Sequence, residues 1–103
     1  NVYVIDDDGT IYAYLVSGQG LRWDQDSLRY RDLSRPTPIL GYVAVVDFEG
    51  YLHFMSQLNG EFVGRVRLDR AGARADMVSV GDTLYVYGNS GKLFAYEIKS
   101  KNI

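Results

Sequence analysis

VYVIDDDGTIYAYLV at residues 2–16, VAVVDFEGYLHFMSQ at 43–57 and LYVYGNSGKLFAYEI at 84–98 repeat one order three times: an apolar run, a polar turn ending in glycine, and a second apolar run. The turn glycines Gly9, Gly50 and Gly91 recur at 41-residue intervals (50 − 9 and 91 − 50). A repeat of ~40–45 residues built from short strands marks a β-propeller blade. A blade cannot keep its sheet faces dry alone, so the period also says how the chain finds a core: unit packs on unit.

Working outward from the hairpins, strands are expected at Val2–Ile5, Thr10–Val16 and Leu21–Asp24, with turns at Asp7–Gly9 and Ser17–Gly20. A polar connection, Gln25–Arg35, leads to Pro36 and a second unit. Its strands are Thr37–Leu40, Tyr42–Val46, Tyr51–Ser56 and Phe62–Leu68, and the loop Asp69–Ala75 follows. The third unit holds Asp76–Val80, Thr83–Tyr87 and Lys92–Ile98, then a polar, frayed tail, Lys99–Ile103. The fold class is therefore all-β, about two and a half blades of four-stranded antiparallel sheet. Residues 1–35 are the end of one blade, 36–75 a complete blade, and 76–103 a last blade lacking its outer strand. Helical periodicity is absent. After each hairpin glycine both alternating sets are largely apolar: Ile11, Ala13, Leu52, Phe54, Leu93 and Ala95 on one side, Tyr12, Tyr14, His53, Met55, Phe94 and Tyr96 on the other. Such strands are expected to be buried on both faces, as when blades stack.

The 103 residues are 47% hydrophobic and 23% charged, which suffices for a core, and 14% are aromatic, nine of them tyrosine, which suits strands. A net charge of −2 carries no basic stripe for nucleic acid, and no apolar run reaches the ~20 residues of a membrane-spanning helix. Without cysteine the segment forms neither disulfides nor thiolate metal sites. Because propellers close as rings of ~4–8 blades, the chain is expected to belong to a longer protein or to assemble with copies. In isolation it is expected to self-associate or aggregate through its exposed sheet faces and edges.

Residue types that carry chemistry have plainer readings here. Asp6-Asp7-Asp8-Gly9 suggests calcium, but the twelfth position of a helical calcium loop would be Ser17 instead of glutamate, so the stretch reads as a hairpin turn. His53, the only histidine, aligns with Tyr12 and Phe94 and reads as an aromatic packing position without metal partners. No serine sits in a nucleophile elbow, and Gly18-Gln-Gly20 opens no helix. Arg22, Arg29, Arg31 and Arg35 are interspersed with Asp24, Asp26 and Asp32, the mixed-sign pattern of a solvated loop. Trp23, Tyr30 and Leu33 in the same stretch leave a protein contact open, although Trp23 fits packing between blades better. The expected lists of catalytic, cofactor-binding and metal residues are empty.

With the blades placed, GLRWDQDSLRYRDLSRPTPIL (20–40), VAVVDFEGYLHFMSQLNGEFVGRVRLD (43–69) and GDTLYVYGNSGKLFAYEI (81–98) resemble the carboxy-terminal part of the BamB family, outer-membrane lipoproteins of the bacterial β-barrel assembly machinery. The most telling run is Asp47–His53 with Asn59–Phe62. The resemblance implies part of an eight-bladed propeller closed by a strand from near the amino terminus. It implies a periplasmic location at the cell outer membrane, through a lipid on an upstream cysteine. It also implies a scaffold without enzymatic activity or cofactor, which binds the periplasmic POTRA domains of the barrel subunit BamA and other machinery subunits and aids outer-membrane protein insertion. The family's main partner-contacting loops lie on earlier blades, so no binding residue is carried over. The alternatives are a quinoprotein dehydrogenase-type propeller, whose Ala-x-Asp-x-x-x-Gly-x-x-x-Trp pattern survives here only as Trp23, and a generic propeller interaction module.

Overall fold

The computed structural model describes residues 2–16, 20–73 and 77–98. The turn at 17–19, the end of the loop at 74–75, Asp76 at the start of a strand, and the tail 99–103 lie outside the described residues. Ten strands follow in order: β1 (Val2–Ile5), β2 (Ile11–Tyr14), β3 (Leu21–Gln25), β4 (Thr37–Ile39), β5 (Tyr42–Val46), β6 (Tyr51–Ser56), β7 (Phe62–Arg67), β8 (Val78–Val80), β9 (Thr83–Tyr87) and β10 (Leu93–Glu97). No helix occurs among the described residues. The strands sit where alternation and turn glycines place them, with ends shifted by a residue or two.

Three antiparallel sheets result, ordered β1-β2-β3, β4-β5-β6-β7 and β8-β9-β10. The repeat is visible in their hydrogen bonds. The amides of Gly9, Gly50 and Gly91 donate to the carbonyls of Asp6, Asp47 and Gly88 at 2.9–3.1 Å. The amides of Asp6, Asp47 and Gly88 donate to the carbonyls of Thr10, Tyr51 and Lys92 at 2.9–3.1 Å. Unit-to-unit links repeat as well. Phe48 N–H donates to Arg31 O at 3.0 Å, and Asn89 N–H to Gly72 O at 2.9 Å.

Cross-strand register sorts the middle sheet into two faces, because directly paired residues share a side. Val45, His53 and Arg65 are in line, as are Val46, Leu52 and Val66. The Val45 side packs on the first sheet, where Ile11, Ala13, Trp23, Leu28, Val43, Val45 and Met55 form one core. The Val46 side packs on the third sheet, with Ala44, Leu52, Phe54, Leu84 and Val86 in a second core. Fully burying a Leu or Phe contributes roughly 1.5–3 kcal/mol, so both seams stabilise the packing of sheet on sheet.

Two-sided burial holds only for β5 and β6. The outer sheets bury one face each and leave Val2, Val4, Tyr85, Tyr87 and Leu93 exposed on the other. The physical reason is that neither outward face has a described sheet against it. Trp23 resolves to packing between sheets: it is buried, and its indole N–H donates to Gln57 O at 2.9 Å.

Candidate functional site

The most organised polar site lies at the hairpin turns, and aspartates build it. Asp47 is fully buried. Its Oδ1 accepts the amides of Glu49 and Tyr51, each at 3.0 Å. Its Oδ2 meets His53 Nε2 at 2.8 Å and Arg31 Nη1 at 3.4 Å. Asp6, one repeat earlier, has the same arrangement. Its Oδ1 accepts the amides of Asp8 and Thr10 at 3.2 and 2.9 Å, and its Oδ2 accepts the Tyr12 hydroxyl at 2.9 Å. The Asp6 carboxylate beside Tyr12 raises the phenol's pKa above its usual value. Thus in the first two repeats the carboxylate at the start of the turn fixes the amides two and four residues on and clamps the returning strand through its ring residue.

The third repeat has Gly88 where the aspartate should be. A Cβ built on Gly88 would collide with the carboxylate of Asp69, which comes from the preceding connection. Asp69 Oδ2 accepts the Ser90 amide at 3.1 Å and the Ser90 hydroxyl at 2.7 Å, while Oδ1 accepts the Ala71 amide at 2.9 Å. A carboxylate from outside the turn therefore fills the missing side chain's place. The Ser90 hydroxyl, then the Ala71 and Ser90 amides, hold the Asp69 carboxyl below its ordinary value. A folded value below the unfolded one stabilises the fold above the ordinary carboxylate range, and the contribution is lost as pH falls through the folded value.

This exchange predicts a reversal of sign. Gly88→Asp alone destabilises, because two carboxylates compete for one space. In an Asp69→Ala background the same change restores at least half of the lost thermal midpoint. Melting at neutral pH checks it, and Asp69→Ala also weakens the acid dependence. A Gly88→Asp effect of the same sign in both backgrounds refutes the substitution of one carboxylate for the other.

The residues singled out in the sequence are placed as follows. Asp6 and Asp8 serve the turn: Asp8 Oδ1 accepts the amide and hydroxyl of Thr10 at 3.1 and 2.9 Å. His53 is buried in an aromatic setting, between Tyr51 and Phe62, and is also hydrogen-bonded to Asp47. Arg31 leaves the mixed-charge connection to reach Asp47, while Tyr30 stays exposed. Asp47 and Asp69 were missed by sequence reasoning. The Asp6-to-Asp47 interval, equal to that of the glycines, would have found the first, whereas nothing in the repeat marks the second. Among the described residues no group of three metal-ligating side chains gathers. The polar site builds turns and joins sheets.

No family model matches the chain. It is 42% identical over 99 residues to the outer membrane protein assembly factor BamB of Pseudomonas aeruginosa, covering 96% of this chain and 26% of that protein. The chain belongs to the BamB family. BamB of Shewanella oneidensis is 38% identical over 94 residues, covering 90% of the chain and 24% of the relative. The crystal structure of BamB from Moraxella catarrhalis superposes with a TM-score of 0.86 at 22% identity, over 98% of this chain and 30% of that one. The fold is accordingly that of propeller blades, as the 41-residue period requires. This BamB-family chain spans about a quarter of the length of the curated relatives it matches.

Proposed function

We propose that the chain serves as part of a non-enzymatic scaffold in outer-membrane protein assembly, at the periplasmic face of the outer membrane, held there by a lipid upstream of these residues. The observation that carries this reading is the 42% identity to an outer membrane protein assembly factor over 96% of the chain. The scaffold acts by holding a partner: the periplasmic POTRA domains of the barrel subunit BamA. The sheets of residues 2–25, 37–67 and 78–97 act as successive blades, with 1–35 ending one, 36–75 complete, and 76–103 awaiting an outer strand. Carboxylate-fixed turns support the reading, since they make the rim rigid without creating a reactive centre. Retention of purified POTRA domains on the immobilised intact protein is the expected result, and no retention at micromolar concentration overturns the partner assignment.

The outward faces carry a second consequence. Val2 and Val4 on one end sheet, and Tyr85, Tyr87 and Leu93 on the other, expose apolar surface of the kind that drives association. The isolated chain therefore forms oligomers whose mass rises with concentration in light scattering. A concentration-independent monomer contradicts this.

A further inference from the structure

A groove of about 260 Å³ opens toward the outside between the first and second sheets. Leu28 and Arg31 of the connection form one wall, and His53, Phe62, Gly64 and Arg65 of β6 and β7 form the other. Its chemistry is uneven. Leu28 and Phe62 give an apolar floor, and Gly64 lines the slot with backbone alone. The charge on the groove side of the middle sheet is positive. Arg65 and Arg67 hold their guanidinium carbons 5.0 and 5.1 Å from the centroid of one ring, that of Tyr51.

That pairing is the informative feature. Two cations on one phenol ring repel each other, and the ring's negative face offsets only part of the repulsion. Among the described residues Arg65 has no carboxylate partner, while Arg67 spends its Nε–H on Glu49 O at 3.2 Å. Arg31, half-exposed, contributes a third guanidinium whose Asp47 contact is long at 3.4 Å. The protein as a whole carries a net charge of −2, so this cluster stands against its background. Planar guanidinium groups with free donors suit carboxylates, which they bind by paired hydrogen bonds.

We propose that this groove binds an acidic segment of a protein partner, with a carboxylate on Arg65 and Arg31 and an adjoining apolar side chain on Leu28 and Phe62. A concave slot between two sheets admits a peptide, whereas a membrane surface needs a convex or flat patch. The site is independent of the scaffold reading above, since it rests on the groove alone.

The test is titration of the intact protein with a blocked hexapeptide in which two glutamates flank a phenylalanine, beside the same peptide with glutamines. Saturable binding is expected, weakening as salt rises, with the glutamine peptide bound about tenfold more weakly or worse. Arg65→Glu is expected to weaken the acidic peptide by a similar factor. Arg22→Glu makes the same charge change on the face of β3 opposite Trp23 and is expected to leave binding unchanged. Equal binding of the two peptides, equal loss in the two variants, or no binding overturns the proposal. So does a result in which Arg65→Glu spares peptide binding but releases the protein from phosphatidylglycerol vesicles, which would make the cluster a lipid contact.

Discussion

Replacing Asp47 with alanine is expected to destabilise the protein by about 2–4 kcal/mol, the cost of leaving buried polar groups without partners. The carboxylate is wholly inaccessible and serves four donors: the amides of Glu49 and Tyr51, the His53 ring and the Arg31 guanidinium. Truncation strands the two amides at the base of the β5–β6 hairpin. It also leaves His53 without its partner inside the seam to the first sheet. Arg31 is the donor least harmed, because it can turn to water. Asp47→Asn keeps one oxygen for the two amides and so should cost well under half as much. Hydrogen exchange of the intact protein separates these terms: the Tyr51 amide should lose protection in Asp47→Ala and keep most of it in Asp47→Asn. A urea midpoint and a Tyr51 exchange rate unchanged in Asp47→Ala would show that the network contributes nothing.

The fold was legible because two signals agree along the chain. Alternating apolar residues gave the strands, and the glycines at 9, 50 and 91 gave the turns at a constant interval. Burial was only partly legible. The residues of β2 and β10 read as two-sided, yet a sequence window cannot say which sheet has a neighbour, and only the middle sheet has one on both sides. The site was less legible still. Asp47 resembles any turn aspartate until its spacing from Asp6 is noticed. Arg31 resembles its loop neighbours because its partner lies 16 residues on. Asp69 belongs to no repeat position, and its role exists only because Gly88 lacks a side chain. Local pattern determines elements; the partners of a buried carboxylate depend on what the fold brings near it.

A graded series at the three hairpin glycines tests whether the repeat is one geometry in three surroundings. All three have positive φ, +93° at Gly9, +87° at Gly50 and +88° at Gly91, so alanine meets nearly the same backbone strain at each, about 1–2 kcal/mol. Their surroundings differ. At Gly91 nothing lies within 4 Å of a new Cβ; at Gly9 the backbone of residues 28–30 stands at 3.3 Å. At Gly50 the Cβ would overlap the carbonyl oxygen of Asp69 and lie 2.8 Å from its carbon. That carbonyl cannot retreat freely. Leu68 N–H donates to Gly50 O at 2.9 Å just before it, and the Asp69 carboxylate is committed to Ser90. Moving the connection away from Gly50 would pull the third hairpin's borrowed carboxylate out of place. Gly50→Ala is therefore expected to cost at least about 3 kcal/mol, in the range of severe backbone substitutions. Gly91→Ala should cost no more than the strain, and Gly9→Ala should fall between. The damage from Gly50→Ala should also spread, raising amide exchange at Ser90 in the next sheet, while Gly91→Ala leaves Asp47 and its hairpin undisturbed. Equal losses at all three positions would mean that backbone strain alone sets the cost and that the contact between Gly50 and Asp69 does not couple the sheets.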